Sequence, residues 1–205
     1  MTMLRHSLPV GGPGSPPWAI ATLFPNQGDW SEWEYLDLGE RTNKPIELSD
    51  GCVEILDMPS KTHQRIVQFL YRTLFALVTP AKLGEVMVSA YPLKLWNLKF
   101  REPDVLFVLA EHSAWFGEKF ATGADLVIEV VSEDRSRDFE KKRGEYEQAG
   151  IPEYWIVDPR ERHITVLGLV NGVYEVVGDY SGEGRADSKI LAGFAVELAM
   201  VFSES

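Results

Sequence analysis

The run of residues 124–131, Ala-Asp-Leu-Val-Ile-Glu-Val-Val, is the feature that most constrains how this chain can fold. It is short, rich in β-branched residues and almost wholly apolar, which predicts a strand buried on both faces. Glu129 lies inside this run, and a carboxylate in such a place is costly unless its pKa shifts or a cation pairs with it. That cation is either a metal ion or a buried Arg or Lys side chain, and the run itself leaves both open.

Composition limits the class of protein. The 205 residues, 45% hydrophobic and 25% charged, suit one globular domain. We expect a poorly ordered leader over residues 1–28, which are rich in Gly, Pro and Ser, and a single domain over residues 29–205. The single cysteine, Cys52, excludes an intramolecular disulfide and favours the cytoplasm.

Charge and hydropathy restrict the partners. No apolar segment approaches the ~20 residues that a membrane span needs, so no membrane contact is expected. The formal net charge is −11, whereas proteins that bind nucleic acid non-specifically tend to be basic. Any nucleic-acid contact would therefore need a local basic patch.

The predicted elements alternate in a way that favours an α/β fold, or an α+β fold whose mixed sheet is covered by helices. Strand 124–131, helix 134–148 and strand 154–157 have the length and order of a βαβ unit, which predicts a parallel pair inside a mixed sheet. The other predicted elements are helices 29–36, 60–78 and 112–116, strands 86–89, 91–96 and 105–109, and hairpins over 46–56 and 164–177.

A second acid is predicted to lie near Glu129. Asp104 follows a proline and opens the apolar strand 105–109, so it stands at a strand entry. Acids from two neighbouring strands can converge on one cation, and Mg²⁺ favours a few carboxylate oxygens completed by water and substrate phosphate. Lys142 shares a helix face with Asp138 and Tyr146, and from that face it could approach both acids. A solvated helix stabilised by its own ion pairs would show the same spacing.

Several segments of the chain resemble one known family over residues 29–200. They are ELSDG (47–51), SKTH (60–63), REPDV (101–105), DLVIEVVS (125–132), Arg137-Asp138 with Lys142 and Tyr146, and AGIPEYWIVDP (149–159). The last segment is long and distinctive. On these segments the chain resembles the Uma-type restriction endonuclease family, a branch of the PD-(D/E)XK nuclease superfamily.

The resemblance implies a restriction-endonuclease-like mixed β-sheet flanked by helices, with accessory β-hairpins. It also implies an endonuclease that hydrolyses DNA phosphodiester bonds with Mg²⁺ or Mn²⁺. Asp104 and Glu129 would be the two acids and metal ligands, and Glu47 a further acid that completes the metal site. The superfamily's lysine normally lies two residues after the second acid, where this chain has Val131. Lys142 is the matching position in families that carry the lysine on the following helix.

Two further residues are candidates for substrate binding. His63, near the start of helix 60–78, could contact phosphate or carry a proton, and a capping or packing role suits it equally. Arg137 belongs to a basic cluster that could contact phosphate, although a mixed-charge helix surface explains it as well. Apolar residues expected on the hairpins suit a homodimer.

Two other functions remain open at this stage. A catalytically silent nuclease-fold module for binding or assembly would pair Glu129 with a buried base such as Lys142 and bind no metal. The missing lysine two residues after Glu129, where Val131 stands, and the net charge of −11 favour that hypothesis. A hydrolase for a small phosphate ester would share the metal site but would need an enclosed pocket.

Overall fold

The computed structural model describes residues 24–203, which form three β-sheets with helices packed on them. The helices are α1 (Glu32–Arg41), α2 (Lys61–Ala81), a 3₁₀ helix (Ala110–Trp115), a π-helical turn (Arg137–Lys142), α3 (Arg143–Ala149) and α4 (Leu198–Val201). The strands are β1 (Ile46–Ser49), β2 (Cys52–Ile55), β3 (Gly84–Val88), β4 (Leu93–Trp96), β5 (Lys99–Arg101), β6 (Val105–Leu109), β7 (Leu126–Val130), β8 (Glu153–Asp158), β9 (His163–Val170), β10 (Val173–Ser181), β11 (Arg185–Asp187) and β12 (Ala195–Glu197).

A six-stranded mixed sheet in the order β10-β9-β8-β7-β6-β3 is the centre of the fold. Within it only β7 and β8 run parallel, and Glu129 lies opposite Ile156 in their register. The predicted parallel pair and the α/β class with a mixed sheet are therefore confirmed. Every residue of β7 is buried, because both faces of the sheet are covered by apolar clusters.

Helix α2 covers one face of this sheet. Ser60 caps it, accepting the N–H of His63 at 3.1 Å, as the sequence predicts. Ile66, Leu70 and Leu74 recur at helical spacing and pack into the larger core cluster. The helix continues to Ala81, three residues beyond the predicted end, and Lys82 closes it in the left-handed conformation.

A second, four-stranded antiparallel sheet in the order β2-β1-β5-β4 stands beside the central sheet. Its hairpin β1–β2 agrees with the prediction, and Tyr35 of α1 packs with Phe100 of β5 at a ring separation of 5.1 Å. The four residues of β1 are all buried, which draws the carboxylate of Glu47 into the interior.

The segment after β7 departs from the regular helix that we predicted over 134–148. It begins with a π-helical turn over Arg137–Lys142 and becomes α-helical only at Arg143. A π turn inserts one extra residue per turn and changes which side chains face inward. Asp138 and Lys142 are buried here, at 3% and 6% exposure, so this part of the segment is not a solvated surface.

Three short strands and one short helix, β5, β11, β12 and α4, were not predicted. Residues 24–28, assigned to the leader, contact the hairpin: Gln27 exchanges two hydrogen bonds with the backbone of Val53, at 2.8 and 2.9 Å. The rest of the predicted leader, residues 1–23, lies outside the described residues. Within residues 24–203, no helix has both the length and the apolar character to cross a membrane.

Candidate functional site

A cleft of about 790 Å³ lies between the 55–64 segment and residues 129–138. Three of the residues that line it, Asp104, Glu129 and Lys142, were predicted as site residues that act together. They come from the entry to β6, the end of β7 and the π-helical turn. The antiparallel pairing of β6 with β7 brings the start of one strand to the end of the other, which explains why the two acids meet.

Asp104 is fixed at the cleft by backbone and side-chain contacts. Its Oδ2 accepts the N–H of Val130 at 2.8 Å and lies 3.1 Å from Nε2 of His63. Burial opposes the protonated imidazole, but the hydrogen bond and charge of Asp104 outweigh it and raise the pKa of His63. Within residues 24–203, Nδ1 of His63 is buried and has no hydrogen-bond partner.

Glu129 is 2% exposed, as the apolar strand predicts. Its Oε2 lies 2.9 Å from Nζ of Lys142, and its Oε1 accepts the hydroxyl of Tyr146 at 2.6 Å. Burial raises the pKa of Glu129 to about 8; the ammonium of Lys142 opposes that shift, and the charge of Asp104 adds to it. The carboxylate therefore still lacks positive charge, although one lysine already touches it.

Lys142 serves several acids at once. Its Nζ also lies 3.4 Å from Oδ1 of Asp138. Burial opposes the ammonium, but the charges of Glu129, Glu47, Asp138 and Asp104 outweigh it and raise the pKa of Lys142. Lys142 therefore keeps its charge at neutral pH, while the acids around it outnumber it.

Glu47 lies away from the wall of the cleft, in an ion cluster with two arginines. The side chain is fully buried; Oε2 lies 3.0 Å from Arg101 Nη1 and closer still to Arg137 Nη2. Its Oε1 accepts the N–H of Glu102 at 3.1 Å. Burial opposes the charged form, but Lys142, Arg101 and Arg137 outweigh it and hold the pKa of Glu47 below its usual value. Both oxygens of the predicted third metal ligand are thus engaged by protein groups.

Arg137 lines the cleft, as a phosphate-binding residue would. Its Nη2 group contacts Glu47 and also Glu54, the latter at 3.0 Å. The guanidinium charge is therefore largely compensated within the protein. Lys141, the neighbour of Lys142, pairs with the same Glu54 at 2.8 Å and is 42% exposed.

Glu102 is a cleft residue that the sequence did not single out. It is 7% exposed and, within the described residues, its Oε2 is buried without a hydrogen-bond partner. Burial and the nearby charge of Glu47 raise the pKa of Glu102 to about 8, against the charge of Lys142. Its position two residues before Asp104 could have indicated that it lies near the site, but a loop acid next to a proline is ordinarily solvated.

The donor set fits a divalent metal ion. Magnesium is held in proteins through one or two carboxylates, with water and substrate phosphate filling the remaining positions. Asp104 and Glu129 are two such carboxylates, and the raised pKa of Glu129 marks a shortage of positive charge that a divalent ion would relieve. Across residues 24–203 no three His, Cys, Asp or Glu side chains converge as a complete ligand set, so solvent or substrate would supply the other ligands.

Comparisons with known proteins identify a family and a related fold. A family model described as Uma2, "Putative restriction endonuclease", matches residues 32–200. A crystal structure titled as a "putative nuclease belonging to DUF820" from Anabaena variabilis is similar with a TM-score of 0.65 and 17% identity. The match covers 82% of this chain and 97% of that one, and at this identity it shows a shared fold. No curated protein matches the chain in sequence.

Proposed function

The chain belongs to the Uma2 family, and on that premise we propose that it is a metal-dependent endonuclease that hydrolyses DNA phosphodiester bonds. One observation carries the proposal. Asp104, Glu129 and Lys142, which are far apart in sequence, line one cleft, where the buried acids outnumber the lysine. An excess of buried carboxylate makes a divalent cation a favourable partner, and a bound cation would in turn attract a phosphate.

Asp104 and Glu129 are the proposed ligands of Mg²⁺ or Mn²⁺. When bound, such an ion supplies a more acidic water molecule and a polarised phosphate. The protein's own part is to hold both carboxylates in place: the Val130 N–H fixes Asp104, and the Tyr146 hydroxyl fixes Glu129. These contacts keep the ligands preorganised.

Lys142 is the proposed cationic group. It carries a full charge beside Glu129 and is nearly excluded from water, so its field on a phosphate in the cleft is weakly screened. There it would stabilise the negative charge that develops on the phosphate oxygens during attack. This role does not require a lysine two residues after the second acid, where Val131 stands.

His63 and Arg137 are the proposed substrate contacts, and Glu47 the proposed third acid. His63 lines the cleft, its Nε2 lies beside Asp104, and its imidazole is able to carry a proton. Arg137 would contact phosphate only through the part of its guanidinium that Glu47 and Glu54 leave available. For Glu47 to ligate a metal, Arg101 or Arg137 would have to release one of its oxygens.

Plasmid cleavage with Mg²⁺ or Mn²⁺ tests this function. We expect the wild type to cut DNA, and Asp104→Asn and Glu129→Gln each to lose at least a hundredfold in rate. Asp125→Asn is the matched control, because Asp125 is also a buried acid next to β7 but pairs with His112 at 2.9 Å, away from the cleft. Cleavage that survives in both cleft variants would refute the proposed site.

A homodimer is the proposed assembly. The hairpin formed by β9 and β10 lies at the edge of the central sheet and exposes Val170, Val173 and Val176. Exposed apolar groups on an edge strand favour pairing with a second copy. Light scattering should give a molar mass of twice the 23.1 kDa of one chain for the wild type. The double variant Val173→Lys/Val176→Lys should have the molar mass of a monomer. A monomeric wild type would contradict this assembly.

The second candidate function is a catalytically silent nuclease-fold module. The direct contact of Glu129 with Lys142 favours it, because the lysine already supplies one cation for the buried acid. In such a module the pair would be structural, and plasmid DNA would remain uncut with either metal although the protein is folded.

A further inference from the structure

Helix α2 has a charge pattern opposite to that of the whole chain. It carries Lys61, Arg65 and Arg72 and not one Asp or Glu in 21 residues, while the chain has a net charge of −11. The three residues follow at intervals of four and seven, so they share one face of the helix, and all three are exposed. We call them the basic stripe. The opposite face of α2 packs into the core, so the basic stripe faces solvent.

The basic stripe leads to the cleft. Lys61 is the first residue of α2, two positions before His63, whose Nε2 lies 3.1 Å from Asp104. A second groove of about 220 Å³ runs along the flank of α2 beside α4 and is lined by Arg65 and Arg72. Thr62 lines both this groove and the cleft, so the two depressions adjoin.

We propose that the basic stripe of Lys61, Arg65 and Arg72 binds the phosphate backbone of a DNA duplex and directs it into the cleft. The inference rests on the proposed endonuclease function and adds to it the surface that holds the substrate. Phosphate contacts by Lys and Arg supply affinity and register without reading sequence. The stripe is the local basic patch that an acidic protein needs in order to hold nucleic acid.

The dimensions of the stripe suit this partner. Lys61 and Arg72 are eleven positions apart on the α-helix, a rise of about 16 Å. One strand of a duplex places a phosphate roughly every 3.4 Å along the axis, so the stripe spans about four or five phosphates. Gln64 and Gln68 are exposed on the same helix and can donate further hydrogen bonds to phosphate oxygens.

Binding measured without metal separates this inference from catalysis. The probe is a fluorescein-labelled DNA duplex of about 30 base pairs in EDTA, titrated with protein at 50 and 200 mM salt while anisotropy is recorded. The test variant is Lys61→Gln/Arg65→Gln/Arg72→Gln, in which glutamine preserves helix propensity. The control is Arg41→Gln/Lys119→Gln/Arg185→Gln, which removes the same charge from side chains 55–65% exposed in surface ion pairs.

We expect three phosphate contacts to contribute a salt slope of about −2.7, or roughly 40-fold in Kd between the two salt concentrations. The stripe variant should lose that share of the slope and bind at least tenfold more weakly at 50 mM salt. The control should bind as the wild type does. Circular dichroism melting should show all three proteins folded.

Equal binding and slope in wild type and stripe variant, or an equal loss in the control, would overturn the inference. A wild type that does not bind the duplex would also overturn it. Cleavage of plasmid by a protein whose binding ignores the stripe would leave the endonuclease function intact and remove only this surface. Stripe-dependent binding without any cleavage would leave this surface intact and remove the endonuclease function.

Discussion

Replacing Lys142 with methionine tests whether its ammonium is the charge that compensates the buried acids of the cleft. Methionine keeps the unbranched apolar stem of lysine as far as Cε and removes the ammonium group. In the folded protein Nζ lies 2.9 Å from Glu129 and 3.4 Å from Asp138, and the lysine is 6% exposed. The variant therefore leaves two buried carboxylates without their nearest cation.

The contact distances give the size of the effect. At 2.9 Å and an effective dielectric constant of ~20, Lys142 and Glu129 attract each other by about 6 kcal/mol. The cost of removing both groups from water offsets part of that attraction, and breaking one partner of a buried pair costs about 3–5 kcal/mol. We expect the unfolding free energy of Lys142→Met to fall by about 3–4 kcal/mol at pH 10, where Glu129 of the wild type is ionised.

The loss should depend on pH. Without the ammonium, the pKa of Glu129 rises further above its usual value, so the folded variant holds a proton that the unfolded chain has released. A carboxyl group with a raised pKa stabilises the fold below the unfolded pKa and loses that contribution as pH rises through the folded pKa. In the wild type Glu129 releases its proton near pH 8, whereas the variant retains it, so the deficit of the variant should grow above pH 8 and shrink to about 1–2 kcal/mol at pH 6.

Urea unfolding of both proteins between pH 6 and pH 10 measures this deficit. Lys141→Met is the matched control: it removes a neighbouring lysine that is 42% exposed and pairs with Glu54 at the surface. We expect the control to lose at most about 1 kcal/mol at any pH. Equal losses in the two variants, or a Lys142→Met deficit that does not change with pH, would refute the reasoning.

Three further substitutions probe other parts of the site. A carboxyl group with a pKa of about 8 stabilises the fold only while it is protonated, so Glu102 makes the metal-free wild type less stable as the pH rises from 5 to 9. In urea unfolding, Glu102→Gln should therefore lose less unfolding free energy over this pH range than the wild type does. Tyr146→Phe should cost about 1.5–3 kcal/mol in thermal unfolding, because it removes a 2.6 Å hydrogen bond to Glu129; no measurable cost would contradict that role. Arg101→Met should cost about 3–5 kcal/mol in urea, since it leaves Glu47 and Glu145 without a fully buried partner; a neutral change would mean that Arg137 suffices.

The sequence predicts the parts of the site that depend on local pattern. An apolar run of strand length places Glu129 in a buried strand, and the proline before Asp104 marks the entry to the next strand. The βαβ spacing predicts the parallel pair β7–β8, which the structure confirms. The position of Lys142 is predictable because helix periodicity puts it on one face with Asp138. In the structure Nζ of Lys142 lies 3.4 Å from Oδ1 of Asp138.

The sequence does not predict the π-helical turn over Arg137–Lys142. That segment is so charged that its composition is typical of a solvated helix, and tertiary contacts override this preference. Lys142 is buried in contact with Glu129 of β7, and Asp138 is buried in contact with Lys142. Lys142 and Glu129 belong to two different elements, and no local pattern contains their contact.

The environment of Glu47 could not be predicted because its partners are distant along the chain. Arg101 lies 54 residues away and Arg137 90 residues away, on a three-residue strand and a π-helical turn that were not predicted as such. An acid on a hairpin next to a turn is ordinarily exposed. Here β1 is covered on both sides, and the arginines compensate the buried charge.

The most direct test of the proposed metal site is a calorimetric titration of the purified protein with Mn²⁺. We expect a binding heat in the wild type and in Asp125→Asn, and no heat in Glu129→Gln or Asp104→Asn, because those two acids are the proposed ligands. A wild type that releases no heat, or a heat that persists unchanged in Glu129→Gln, would contradict a metal site at the end of β7.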